Sequence, residues 1–120
     1  MSVSIVKRVI GPTYAISVAA TQTTAIALPP IQGDNAIYAE FTNPGATDVC
    51  VVTAPWAGTP ATPALVFPVG GTPTIPNSFM LPHGMTQPMT IETPSNGFCV
   101  SAIGSAAGPS IIYITPIAAA

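Results

Sequence analysis

The sequence predicts an all-β fold, an antiparallel β-sandwich or jelly roll of about eight to ten short strands. Three observations point there. Apolar residues never hold a 3.6-residue period for more than two turns, so amphipathic helices are not expected. Fifteen prolines are spread through the 120 residues and would break most helices soon after they began. Short runs alternate in polarity instead, with Val, Ile and Thr prominent, as a half-buried pleated strand does.

In chain order, the strand segments are Val3–Val9, Tyr14–Ala19, Thr24–Leu28, Ala36–Thr42, Thr47–Thr53, Ala64–Phe67, Ser78–Leu81, Met89–Thr93, Phe98–Ile103 and Ser110–Thr115. The middle ones alternate most clearly. Ile37, Ala39 and Phe41 share one face, and Tyr38, Glu40 and Thr42 the other. Val49 and Val51 oppose Asp48, Cys50 and Val52, and Met89 and Ile91 oppose Thr90 and Glu92. Each reads as a half-buried strand. Turn residues punctuate them: Gly11-Pro12, Gln32-Gly33-Asp34-Asn35, Asn43-Pro44-Gly45, Pro82-His83-Gly84, Ser95-Asn96-Gly97 and Ala107-Gly108-Pro109. The strands fall short of the ~9–11 residues that an outer-membrane barrel requires.

One domain is expected over residues 1–120, with a distinct segment at about 54–76. From Ala54 to Pro76 proline recurs every few residues, which largely excludes an interior strand. The segment should be extended and stiff. It reads either as a surface loop holding one short edge strand or as an arm lying on a neighbouring subunit. Trp56, at its start, would anchor such an interface or plug the end of the sandwich. The uncharged end of the chain, Thr115 to Ala120, is expected to pack against something.

Charged residues make up only 5% of the chain, against about 25% in an average domain. They are Lys7, Arg8, Asp34, Glu40, Asp48 and Glu92. Two cations cannot form the basic patch that nucleic acid or an anionic membrane would require. No run of ~20 apolar residues is present, so no spanning helix is expected. Lys7-Arg8 precede an apolar stretch, but Gly11 to Tyr14 interrupt it, and a secretion signal is not expected. A surface so poor in charge suits a subunit packed among copies of itself.

Catalysis needs convergent titratable groups, and the chain carries few. His83 is the sole histidine and sits where a turn residue belongs. Zinc sites take several His or Cys ligands, and calcium sites cluster oxygen donors in one loop. Asp34-Asn35 is the only candidate for the latter. Asp34 and Asp48 border turns, where Asp caps backbone N–H groups, while Glu40 and Glu92 should face solvent. Gly70-Gly71-Thr72 lacks the lysine of a phosphate-binding loop. Cys50 and Cys99 could pair across a sandwich if geometry allowed. Two buried thiols are the favoured alternative, since nothing else argues for an oxidising compartment. No catalytic residue, cofactor or metal is expected.

The stretch Ile37–Val52 places an Asn-Pro-Gly turn between two apolar strands. Phe79 to Gly84, Met89 to Pro94, Gly97 to Ile103 and Ile112 to Pro116 then follow in order. This succession resembles the small β-sandwich or jelly-roll head decoration (cement) proteins of tailed bacteriophages. The resemblance covers Ala36 to Pro116 and departs in the long proline-rich insert at Trp56–Pro76. It implies a non-enzymatic virion protein on the capsid surface, assembled in the host cytoplasm. Such a protein binds the major capsid protein and sister copies as a homo-oligomer, with no nucleic-acid or membrane partner. The expected interface residues are Val3, Ile5, Trp56, Phe67 and Ile75. A tail, collar or fibre-base module is one alternative. A carbohydrate-binding or adhesion module is another, with Tyr14, Tyr38, Tyr113 and Trp56 as its available aromatics.

Overall fold

Two antiparallel sheets pack face to face in a computed structural model that describes residues 7–28, 38–71, 75–93, 97–106 and 109–119. The strands are β1 (Lys7–Val9), β2 (Tyr14–Val18), β3 (Ile26–Leu28), β4 (Tyr38–Thr42), β5 (Val49–Pro55), β6 (Ser78–Leu81), β7 (Met89–Glu92), β8 (Phe98–Gly104) and β9 (Ser110–Ala119). The first sheet runs β1-β9-β4-β7, and β2 also pairs β9. The second runs β3-β8-β5-β6. The described residues include no helix, so the expected all-β sandwich is what the chain forms.

Strand β9 organises the first sheet. Its first half pairs β2, from Tyr14 against Ile114 to Val18 against Ser110, and its last residues pair β1. The sequence suggested a strand ending at Thr115; it continues to Ala119 through Pro116. A proline inside a central strand normally removes a ladder bond. Here the Pro116 carbonyl accepts from Ile10 N–H, so its backbone polar groups face the gap between β1 and β2. The bond that proline cannot donate falls where the Gly11–Thr13 break leaves no strand to receive it.

The core lies between the sheets. Ile16, Val18, Ala39, Phe41, Ile112 and Ile114 from one meet Leu28, Val49, Val51, Leu81, Phe98, Val100 and Ala102 from the other. Phe41 meets Phe79 across the gap edge to face, with ring centroids 5.0 Å apart. Full burial of each large side chain contributes roughly 1.5–3 kcal/mol.

Two expectations change. Val49–Val52 reads as half-buried, yet all four residues are buried, because the outer face of β5 is covered. Ala64–Phe67 is not a strand. Prolines 63 and 68 bracket it, and the Leu65 N–H donates to the Gln22 side chain instead of to a strand neighbour. Cys50 and Cys99 are both buried and free. Cys50 pairs with Ile103 and Cys99 with Ala54, so four residues of strand, roughly 13 Å, separate them, too far for a disulfide.

Candidate interaction surface

The outer face of the second sheet is sealed by the chain itself. Cys50, Val52, Met80 and Ile103 point outward from it, and Leu65, Phe67 and Ile75 from the proline-rich connection pack onto them. A polar clasp fixes the connection beside this patch. Gln22 Nε2 donates to the Pro63 carbonyl at 3.0 Å and to the buried Ser101 Oγ at 2.8 Å. Gln22 Oε1 accepts the Leu65 N–H at 2.8 Å. Thr62 Oγ1 lies 2.7 Å from Ser101 Oγ, so the buried hydroxyl is satisfied from two sides. Burial pushes the Cys50 thiol pKa up, which keeps it protonated and unreactive.

On half of the opposite face, no described residue forms such a cover. On the first sheet, Ile112 and Ile114 point into the core, so Ile111, Tyr113 and Thr115 point out. Cross-strand pairing sets Ser17 beside Ile111, and Ala15 and Thr42 beside Tyr113. Ile111 is 45% exposed and Tyr113 39%. Thr13 and Thr115 hydroxyls meet at 2.8 Å. The direct cross-strand neighbours of Ile111 and Tyr113 are uncharged; Glu40, beside Thr115, and Glu92 also face outward, as expected, farther from Ile111. Tyr38 shares the outward side, whereas Tyr14 turns inward onto the core.

The motifs that carried the resemblance form a structural joint at one end of the sandwich. The buried Asn43 donates through Nδ2 to the Thr47 and Leu81 carbonyls, each at 2.9 Å. Gly84 N–H donates to the Gly45 carbonyl and Met85 N–H to that of Asn43. A Cβ at position 45 would stand 2.3 Å from Ser110 Oγ, so only glycine fits there. Gly84 takes the left-handed conformation, φ +69°, that closes the Pro82-His83-Gly84 turn. Asp48 accepts the His83 backbone N–H at 2.9 Å and its ring Nδ1–H at 2.7 Å. These two donors hold the Asp48 carboxyl below its ordinary value. Both residues are well exposed, and the pair caps a turn.

Of the expected interface residues, Val3 and Ile5 lie outside the described residues, as does Asp34-Asn35. Trp56 is half-buried, with its N–H toward the Gly97 carbonyl at 3.4 Å. Phe67 and Ile75 are half-buried on their own sheet. The outer rim of the cover presents Val66 and Val69 instead, at 79% and 66% exposed. Ile111 was not singled out, because Ile111, Ile112 and Ile114 in succession do not reveal which side faces the core. Among the described residues, no three His, Cys, Asp or Glu side chains gather as a metal site would require.

A cleft of about 390 Å³ opens where the two sheets meet near the β7 edge. Thr53, Ala54, Pro55, Asn77, Glu92 and Thr93 line it. Asn77 is in the left-handed region at φ +64°, and its carbonyl accepts the Thr53 N–H. Thr93 is 6% exposed, and its Oγ1 has no hydrogen-bond partner among the described residues.

No family model matches the chain, and no match was found among curated proteins or solved structures.

Proposed function

We propose that the chain is a non-enzymatic virion structural protein, a capsid decoration protein that binds the major capsid protein and sister copies and stabilises the head. The observation that carries this reading is the outward pair Ile111 and Tyr113 on the first sheet, which no described residue covers and whose direct cross-strand neighbours are uncharged. Their backbone is held in place by the β9 ladders, so little backbone ordering entropy is lost when a partner docks. Repetition over many copies would give avidity from modest individual contacts. With few ionisable groups, the surface gains little from electrostatic steering and holds its contacts at high salt. The turn-and-strand succession from Ala36 to Pro116, which resembles cement proteins, supports the same assignment.

Co-sedimentation with expanded capsids built from the major capsid protein of the same phage tests it. The wild-type chain should saturate the capsids and raise their thermal stability. Ile111→Asp with Tyr113→Asp should fold yet fail to pellet. A wild-type chain that stays in the supernatant overturns the reading.

A further inference from the structure

We infer that the cleft between the β5 end and the β7 edge is a binding site for a neutral polyhydroxyl ligand, a saccharide unit. This rests on residues separate from the sheet face above and is independent of the capsid reading. The first observation is the unpartnered Thr93 hydroxyl. The residue is more than nine-tenths buried, lines the cleft and leaves Oγ1 without a partner among the described residues. Buried polar atoms are nearly always satisfied, and an orphan disfavours the free state.

The second observation is the donor set. Glu92, an outward residue at the end of the edge strand β7, borders the cleft, and its carboxylate is an acceptor only, which binds hydroxyl donors strongly. Thr53 and Thr93 supply hydroxyls that both donate and accept, and Asn77 a carboxamide that does the same. Ala54 and Pro55 add an apolar wall, which suits the C–H face of a sugar ring. The one charged group among the described lining residues is negative, so phosphates and carboxylates are disfavoured.

Two-dimensional amide NMR of the full chain, titrated with glucose, galactose, mannose and N-acetylglucosamine, tests the assignment. At least one sugar should shift the amides of Thr53, Ala54, Asn77, Glu92 and Thr93, saturating with a dissociation constant on the order of millimolar. Thr93→Val keeps the side-chain shape, should not lower the melting temperature, and should weaken binding roughly fivefold or more. Glu92→Gln should weaken it about tenfold. Butylammonium serves as the cationic control. No saturable shift with any of the four sugars overturns the proposal. So does unchanged sugar affinity in Thr93→Val, or a response to butylammonium alone.

Discussion

The two sheets share a core but differ on their outer faces, and the difference separates what holds the fold from what is free to bind. On the second sheet, Cys50, Val52, Cys99 and Ser101 point away from the core, yet all are 0% exposed. The proline-rich connection lies over that sheet and closes it. On the first sheet, Ile111 and Tyr113 occupy equivalent outward positions and remain in solvent. Apolar side chains facing outward thus meet two fates in one small sandwich, and the long β5–β6 connection decides which. Prolines suit that task. They limit the conformations of the free segment, so holding it flat costs less entropy.

Breaking the cover should have the largest effect. Leu65→Ala empties a site only 5% exposed and should cost about 2–5 kcal/mol in urea denaturation. Gln22→Ala removes the clasp that joins Pro63, Leu65 and Ser101, and should cost about 1–2 kcal/mol. It should also speed labelling of Cys50 and Cys99 by a thiol reagent under native conditions. Tyr113→Ser on the open face should shift stability by no more than about 0.5 kcal/mol.

The smallest expected effect lies at the joint. The Asp48 carboxyl is held below its ordinary value, so it stabilises the folded chain fully above about pH 4. That contribution is lost as the pH falls through the lower, folded value. Urea midpoints of wild type and Asp48→Ala should therefore differ at pH 7 and draw together as the pH is lowered below about 4.

Much of the architecture is legible in the sequence, because alternation and turn chemistry act locally. Spacing sets Ala39 and Phe41 on one shared face, which proves to be the core face, and Asn43-Pro44-Gly45 and Pro82-His83-Gly84 read as turns. What escaped depends on distant parts of the chain. Val49–Val52 is uniformly apolar, but a second buried face exists only because Leu65 and Phe67 return to cover it. Gln22, in a run of threonines, has no local signature; its role comes from partners 41 to 79 residues away. Ala64–Phe67 has strand composition, but a strand needs an edge to pair with, and this segment lies over a face. Thr93 looks like an ordinary strand-end residue until its burial and missing partner are seen together.

Hydroxyl-radical footprinting of the chain, free and bound to capsids, tests the contrast between the two faces most directly. Tyr113 and Ile111 should oxidise in the free chain and be protected on the capsid, while Cys50, Cys99 and Leu65 stay unmodified in both. Protection confined to Val66, Val69 and Trp56, with Tyr113 oxidised equally in both states, would contradict the account.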